Sequence, residues 1–370
     1  MDAMTLAQVP EARFVLTYQQ RNITHDISTH LLSLSYSDFL TGEADSLEIQ
    51  LEDVEGKWVD AWYPGHGDTL TLSIGWEGQT MRIVGRFEID EFALDTPPST
   101  VTIMALGTGI NAALRTTEHR AYENTTLDAV AREIANRQGL ELVGSIEPIK
   151  LDRLTQQESD LAFLRQLAGE YDYAFKVTGN RLVFHAISEL AKGSPVANLV
   201  LQDLANVHLR DQIREVPKAI EVKHKDPVEK RLVSYKMMNG EMVAVPSSSS
   251  KATTSGDTRK NRKRSASAEE SKAKAKAELA KANRERTSGN WTAMGRPNLV
   301  SGNVVTLVAA GKLGGNYLIT ASHHRMVRDG GYTVDKEVCR VSAATIGLTM
   351  ESTQPDLALS SYGMPDEIVA

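Results

Sequence analysis

Alternation of apolar and polar residues is the feature that most constrains the fold of this sequence. The stretch SLEIQLED, residues 46–53, puts Leu47, Ile49 and Leu51 on one side of an extended chain and acidic or amide side chains on the other. GDTLTLSIGW, residues 67–76, repeats the pattern. A period of two predicts antiparallel strands with one face in water, and excludes an amphipathic helix at these positions.

The first hundred residues as a whole are typical of an antiparallel β-domain. MRIVGRFEIDEFAL, residues 81–94, predicts one long strand, and VTIMALG, residues 101–107, predicts the next. TPPST at 96–100 separates them, since proline and glycine interrupt strands and form turns. Short strands at this spacing favour a barrel or a sandwich.

Residues 109–195 change to a mixed α and β pattern. A capping box of Thr125 and Asp128 predicts a helix over LDAVAREIANRQG, and Thr155 with Glu158 predicts a second helix start. The buried faces of the two helices are expected to consist of Leu127, Val130, Ala131, Ile134, Leu161, Leu164, Leu167 and Ala168. YAFKVTGNRLVFH then predicts a hairpin that turns at Gly179 and Asn180.

Strands return after residue 196, with one polar interruption. Residues 247–270 are low in bulky apolar residues and are predicted to be mobile. AEESKAKAKAELAKANRERTSG is rich in Ala, Lys and Glu and predicts a helix whose only bulky apolar residue is Leu279. The β pattern resumes at residue 290 and ends near residue 350, where a loose tail begins.

Composition excludes few classes of protein. The chain of 370 residues has 41% apolar and 24% charged residues and a net charge of −7, which is ordinary for a globular protein. We expect no secretory signal, no membrane insertion, and folding in a reducing compartment, because the N-terminus lacks a basic and apolar leader and Cys339 has no second cysteine to pair with.

The strongest electrostatic feature is a basic segment at residues 258–286. It holds four glutamates (269, 270, 278 and 285) and eleven basic residues, namely Arg259, Lys260, Arg262, Lys263, Arg264, Lys272, Lys274, Lys276, Lys281, Arg284 and Arg286. Such a cluster could bind nucleic acid through its phosphates. Because aromatic residues for base stacking are lacking, a solvated loop and helix that docks on an acidic protein surface is the favoured interpretation.

No residues stand out as catalytic, cofactor-binding or metal-binding. His323 and His324 are adjacent in a predicted strand and point to opposite faces, so they do not share one metal ion easily. Cys339 lies between Val338 and Arg340 and is interpreted as a packed residue. Neither a nucleophile elbow, nor a zinc-protease motif, nor a phosphate loop occurs.

One composite pattern does carry a resemblance. Residues 156–185 hold an E-S-D-x-x-F-L-x-x-L helix and an aromatic-rich hairpin, through Glu158, Ser159, Asp160, Phe163, Leu164, Leu167, Tyr171, Tyr173, Phe175, Leu182, Val183 and Phe184. Residues 44–76, 126–142 and 295–326 accompany it in a fixed order. Together they resemble the phage tail hub proteins of the late-control D family and the hub portion of type VI secretion spike proteins, over roughly residues 12–350.

This resemblance implies an α+β, mainly β fold: two tube-protein-like antiparallel β-barrel domains, an α+β insert and a basic helical insertion. The expected domains are a first barrel at 1–108, the α+β insert at 109–195, the two parts of the second barrel at 196–245 and 290–352, a basic flexible linker and helix at 246–289, and a C-terminal tail at 353–370. In this interpretation the helix and hairpin pack on the outside of the ring, and the basic segment docks on neighbouring proteins and orders only on assembly.

The resemblance also implies a function and partners. A homotrimer would form the structural hub of a contractile phage tail or of an R-type bacteriocin, and would adapt a three-fold spike to the six-fold tail tube. Its expected partners are a trimeric spike on a separate chain, the tail tube, other baseplate proteins and the tape measure; it would assemble in the host cytoplasm and use neither cofactor nor catalysis. Two alternatives stay open, a nucleic-acid-binding or DNA-passage factor acting through residues 258–286 and a peptidoglycan-active baseplate enzyme.

Overall fold

The computed structural model describes residues 11–109, 112–212 and 268–341, together with four strands between residues 219 and 265. The first β-module is built from strands β1 to β7 and a short helix. In chain order these are β1 (Ala12–Tyr18), β2 (Arg21–Asn22), α1 (Thr24–Ser28), β3 (Leu31–Phe39), β4 (Ser46–Glu52), β5 (Thr69–Trp76), β6 (Arg82–Asp95) and β7 (Thr100–Gly107).

The middle module follows and mixes helices with two small sheets. It consists of α2 (Ala112–Arg115), β8 (Arg120–Thr126), α3 (Leu127–Arg137), β9 (Glu141–Val143), β10 (Lys150–Gln156), α4 (Asp160–Tyr171), β11 (Tyr173–Thr178), β12 (Arg181–Ala186) and α5 (Ile187–Leu190). Strands β8 and β10 pair antiparallel, while β12 pairs with both β11 and β9.

The remaining elements comprise a second β-module, a four-stranded sheet and one long helix. They are β13 (Ala197–Val200), β14 (Ala205–Asp211), β15 (Ala219–Lys225), β16 (Leu232–Met238), β17 (Glu241–Val245), β18 (Thr258–Ser265), α6 (Ala268–Arg286), β19 (Thr287–Met294), β20 (Val304–Val308), β21 (Gly315–Val327) and β22 (Gly331–Arg340). Strands β13, β14 and β19 to β22 form the second β-module, and β17-β16-β15-β18 form the separate sheet.

The two β-modules have the same strand order. The first runs β3-β4-β7-β6-β5-β1 and the second runs β14-β19-β22-β21-β20-β13, so six strands of one have counterparts at the same places in the other; the short β2, which pairs with β1, has none among the described strands. Smaller details repeat as well: β6 has a bulge between Ile89 and Glu91, and β21 has one between Ile319 and Ala321. One pairing differs, since β13 lies parallel to β20 while β1 lies antiparallel to β5.

Turn geometry extends this internal repeat. Gly67 and Gly302, which precede the equivalent strands β5 and β20, both have a φ of 82°, a conformation that glycine adopts without strain. Each donates its N–H over 2.9 Å to the carbonyl just before the bulge, on Ile89 and on Ile319 respectively. The repeat therefore includes the loop that shapes each long strand.

Both β-modules bury their alternating apolar faces in one shared core. Leu47, Ile49 and Leu51 are buried as predicted, and the core continues into the second β-module through Trp291 and Val305. The ring of Trp76 lies 5.4 Å from that of Tyr332, and its Nε1 donates to the Gly295 carbonyl at 2.9 Å. The predicted α+β, mainly β fold is confirmed, while the domain boundaries and the closure of each module into a barrel stay predictions.

The middle module has its own core, which the predicted helices supply. Phe163, Leu164 and Leu167 of α4 are buried against α3 and the hairpin β11–β12, whereas Leu161, predicted to be buried, is only half-buried. None of the helices that the structure describes is both long and apolar enough to cross a membrane.

Both predicted helix caps were misplaced. Ser159 caps α4 by accepting from the Ala162 amide at 3.3 Å, and Thr155, predicted to be the cap, lies in β10. Thr126, not Thr125, caps α3 by accepting from the Ala129 amide at 3.2 Å. In each case a strand extends further toward the helix than the pattern indicated, because pairing of β8 with β10 holds the preceding residues in extended backbone.

Residues 258–265 of the linker predicted to be mobile, at 247–270, have regular secondary structure. These residues form β18, which pairs in parallel with β15. Backbone pairing outweighs the polar composition here, since a strand at the edge of a sheet needs one buried face at most. The other residues of that linker, up to residue 267, lie outside the described residues.

Gly289 provides a test of the close contact between β14 and β19. A Cβ built at Gly289 would lie 1.9 Å from the His208 carbonyl, whereas one built at Gly169 in α4 would meet nothing within 4 Å. We expect Gly289→Ala to destabilise the protein by about 1–3 kcal/mol through strand displacement. The matched Gly169→Ala change should stabilise it by about 0.5–1 kcal/mol. Urea denaturation of both variants checks this; equal effects of the two changes would contradict the described β14–β19 pairing.

Candidate functional site: the junction between the modules

The junction begins with a strand that changes partner. Residues 315–318 of β21 pair with β20, and after the bulge residues 321–327 pair antiparallel with β3 of the first β-module. At the change of partner, the Leu40 amide donates to the Thr320 carbonyl at 2.9 Å. The two β-modules are therefore parts of one continuous sheet.

A buried ion-pair cluster joins all three modules at this place. Lys176 of β11 lies 2.5 Å from Oδ1 of Asp38 on β3 and 2.7 Å from Oδ1 of Asp45 in the β3–β4 loop. The other oxygen of Asp38 accepts from the Ser301 amide of the second β-module at 2.6 Å. One aspartate thus binds the middle module with one oxygen and the second β-module with the other.

The electrostatics of the cluster follow from two acids sharing one lysine. Burial raises the pKa of Asp45 to about 6, even though Lys176 acts to lower it. Burial alone would lower the pKa of Lys176, but Asp38 and Asp45 raise it above its ordinary value. Because the charges stabilise one another, removal of the lysine would leave two buried carboxylates without their cation.

His323 and His324 lie in the junction on opposite faces of β21, as the sequence indicated. His323 Nδ1 contacts the Ser37 hydroxyl at 2.9 Å. His324 is 1% exposed, with Nδ1 2.7 Å from the Tyr332 hydroxyl and Nε2 3.1 Å from the Leu299 carbonyl. Its ring lies 5.6 Å from that of Tyr36 on β3, so it packs the two β-modules together.

Helix α6 attaches the basic segment to the middle module of the same chain. Arg284 donates from Nη1 to Oδ2 of Asp172 at 2.6 Å and from Nη2 to Oδ1, and both side chains are nearly buried. Lys274 contacts Glu170 at 3.3 Å and Glu270 at 2.7 Å, again with little exposure. The acidic protein surface expected for this helix is thus found within the chain itself.

The sequence of α4 explains why α6 docks there. The last turn of α4 contains Glu170 and no basic residue, and the left-handed C-cap that follows Tyr171 is Asp172. Negative charge at a helix C-terminus opposes the helix dipole, so cations supplied by α6 relieve an unfavourable arrangement. For residues 268–286, carboxylates of the same chain therefore neutralise part of the basic charge, and docking of the segment on neighbouring proteins stays a prediction.

The buried cysteine and the cavity of the first β-module do not form a catalytic or metal-binding arrangement among the described residues. Cys339 is buried, and burial raises the pKa of its thiol to about 11, so the reactive thiolate is disfavoured. A cavity of about 390 Å³ opens in the first β-module beneath Trp58, Trp62 and Tyr63. Within the part of the chain that the structure describes, no group of three or more His, Cys, Asp or Glu side chains is arranged to hold a metal ion.

The family model for the phage tail baseplate hub (GPD) matches residues 91–330, which is more than half of the chain. The chain belongs to this family, and the resemblance found in the sequence is confirmed. Among curated proteins, the probable baseplate hub protein of Escherichia phage P2 is 34% identical over 174 residues, covering 46% of this chain and 44% of that protein. Its counterpart from Escherichia phage 186 is 32% identical over 193 residues, covering 51% and 49%. The aligned part thus spans about half the length of each of these relatives.

Solved structures share the fold at low sequence identity. The tail protein from Neisseria meningitidis MC58 superposes with a TM-score of 0.62 at 12% identity, covering 91% of this chain and 99% of that one. The 43 kDa tail protein of prophage MuSo2 from Shewanella oneidensis gives 0.59 at 16%, covering 91% and 98%. An E. coli component of the type VI secretion system gives 0.52 at 11%, covering 85% and 74%.

Sequence reasoning singled out His323 and His324 but did not identify the ion-pair cluster of the junction. Asp38 carried a usable signal, because it continues the buried face of Leu34 and Tyr36 on β3 and is the one charged residue in that series. Lys176 carried none, since alternation places it on the face of β11 opposite to Tyr173 and Phe175. Only the three-dimensional contact reveals the pair.

Loss of Lys176 tests the ion-pair cluster. We expect Lys176→Met to lower the free energy of unfolding by about 3–5 kcal/mol, because Asp38 and Asp45 would remain buried without their cation. The control is Lys192→Met, which breaks the exposed pair with Glu189 and should change the free energy of unfolding far less, because solvent screens that pair. Guanidinium denaturation measures both; similar losses would show that the cluster is no more important than a surface pair.

His324 should make stability depend on pH. Burial lowers its pKa to about 4 from an ordinary 6.5, so between these values the unfolded chain binds a proton that the folded chain does not. Its contribution is complete above pH 6.5 and is lost as the pH falls toward 4. We expect the drop in unfolding free energy from pH 7 to pH 4.5 to be smaller by about 2 kcal/mol in His324→Gln than in the wild type.

His25, which is exposed on α1, supplies the matched control for this experiment. His25→Gln should show the same drop as the wild type when urea denaturation is followed at both pH values. An unchanged drop in His324→Gln would mean that the imidazole titrates freely in the folded protein, contrary to its buried position.

Proposed function

We propose that the chain is the structural hub of a contractile tail baseplate, in a phage or in a phage-derived particle such as an R-type bacteriocin. Three copies form a ring that adapts a three-fold spike to a six-fold tail tube. Membership of the baseplate hub family supports the hub role. The proposed location is the centre of the baseplate in the virion or tail-like particle, after assembly in the host cytoplasm.

The observation that carries this proposal is the internal repeat. Two β-modules with the same strand order lie side by side in one sheet, so one chain supplies two similar neighbouring positions. Three such chains in a closed ring would supply six. The ring would then match six-fold symmetry on one side while keeping three-fold symmetry on the other.

The proposed partners follow from this geometry. A trimeric spike on a separate chain would bind the three-fold face, and the tail tube would bind the pseudo-six-fold face. Other baseplate proteins and the tape measure would contact the remaining surface. The likeness to an E. coli type VI secretion component supports the shared fold only.

We propose no catalytic activity for the chain itself. Its mechanism is mechanical: sheath contraction drives tube, hub and spike together, and the junction transmits force between the modules. Nucleic-acid binding is less well supported, because Lys274, Lys276, Arg284 and Arg286 of the basic segment contact carboxylates elsewhere in the same chain. A peptidoglycan-active enzyme would be detected by loss of turbidity of cell walls exposed to the purified chain.

Mass measurement tests the proposed hub directly. We expect the purified chain to have the mass of a trimer in multi-angle light scattering, either alone or after mixing with a candidate spike chain. The matched control is the spike chain alone, whose own mass shows how much of the mass of the mixture belongs to the hub. A hub that stays monomeric under both conditions would contradict the proposal.

A further inference from the structure

We infer that the free edge of β6 at residues 91–95 pairs antiparallel with the free edge of β14 in a second copy of this chain. The inference rests on the proposed ring and specifies how neighbouring copies join. It follows from the internal repeat, because the chain already contains one junction of this type.

The junction within the chain is the template. After its bulge, β21 of the second β-module turns away from β20, and residues 321–327 pair with β3. Strand β3 is the edge strand of the first β-module, and its other side pairs with β4. A long, bulged strand of one module therefore binds the edge strand of the other.

The first β-module has the same long strand without the partner. Residues 82–88 of β6 pair with β5, and after the bulge residues 91–95 pair with β7 on one side only, among the strands that the structure describes. The equivalent bulges and the equivalent contacts of Gly67 and Gly302 fix the alignment, so that Glu91 corresponds to Ala321 and Asp95 to Arg325. These unpaired backbone groups match those with which β21 binds β3.

The second β-module has the same edge strand, also without its partner. Strand β14 pairs with β19 on one side, as β3 pairs with β4, and within the described residues its other side is open. Strands β22 and β7 are equivalent, and the strands that pair with them, β19 and β4, are therefore equivalent too. Pairing of β14 with β19 and of β3 with β4 then makes Leu209 equivalent to Tyr36 and Arg210 equivalent to Ser37. The edge of β14 and the unpaired edge of β6 at residues 91–95 therefore each offer half of the junction.

Transfer of the β21–β3 register gives the expected pairs. In the junction within the chain, His324 pairs with Tyr36. The equivalent pair between copies is Leu94 with Leu209 of the second copy. The neighbouring residues then pair as Asp95 with His208, Ala93 with Arg210, Phe92 with Asp211 and Glu91 with Gln212. Leu94 is 49% exposed in the single chain, and this pairing would cover it with another leucine.

Charge complementarity supports the same register. Asp95 lies directly opposite His208, and Arg210 lies diagonally between Glu91 and Asp95, so acids on one strand face bases on the other. Cross-strand pairs of opposite charge and of apolar residues are the kinds that stabilise a sheet. The interface joins two different surfaces of the chain, as a closed ring with an odd number of copies requires. It also pairs the backbone groups of strand edges that would otherwise promote aggregation.

Cysteine crosslinking tests the register. In the full chain carrying Leu94→Cys and Leu209→Cys, the two Cα atoms would lie about 5.5 Å apart across the interface, which suits a disulfide. Oxidation should yield a covalent trimer on a non-reducing gel. The control is Leu94→Cys with His208→Cys, whose side chains would lie on opposite faces of the sheet and should not crosslink. The wild type controls for Cys339.

Charge exchange gives an independent measurement. Asp95→Arg should weaken assembly by about ten-fold, and so should Arg210→Asp, because each places like charges together. The double variant restores opposite charges and should recover most of the loss. The exposed change Asp128→Arg on α3, outside the proposed interface, should have little effect on assembly.

The outcomes separate this inference from the proposed function. If wild type and variants form trimers but Leu94→Cys with Leu209→Cys does not crosslink, or if the His208→Cys control crosslinks instead, the inferred pairing is wrong and the ring remains. If even the wild type stays monomeric, alone and with its spike, both the ring and the pairing are wrong.

Discussion

The pairing of β3 with β21 is the interaction on which the rest of the structure depends. It converts two β-modules of the same strand order into one continuous sheet, with Leu40 and Thr320 at the point where β21 changes partner. Strand pairing leaves little freedom for one module to rotate against the other, because every backbone hydrogen bond fixes the register. A chain built in this way can transmit force along its sheet.

Charge, rather than apolar contact alone, attaches the middle module to this sheet. Lys176 bridges Asp38 and Asp45, while Arg284 and Lys274 neutralise the acidic end of α4. Buried pairs are strongly directional, and they are costly when one partner is missing. Such contacts favour one arrangement of the modules over others, as the proposed hub role would require.

The sequence predicted what local periodicity determines. Leu47, Ile49 and Leu51 are buried as alternation indicated, and α4 buries Leu164 and Leu167. Periodicity contains no information about which strands pair, so the repeated strand order and the Asp38–Lys176 contact could not be predicted. Helix caps were misplaced because strand pairing extends to the helix start. The acidic partners of α6 were expected on other proteins, but those of Lys274 and Arg284 lie within the chain.

Hydrogen exchange at the junction tests the central claim most directly. If the β-modules form one rigid sheet, the Leu40 amide and its neighbours in β3 and β21 should exchange only on global unfolding, as slowly as amides of β5 and β20 inside the modules. Exchange at β3 and β21 that is much faster than in either module would contradict the account, since it would show two β-modules that separate while each stays folded.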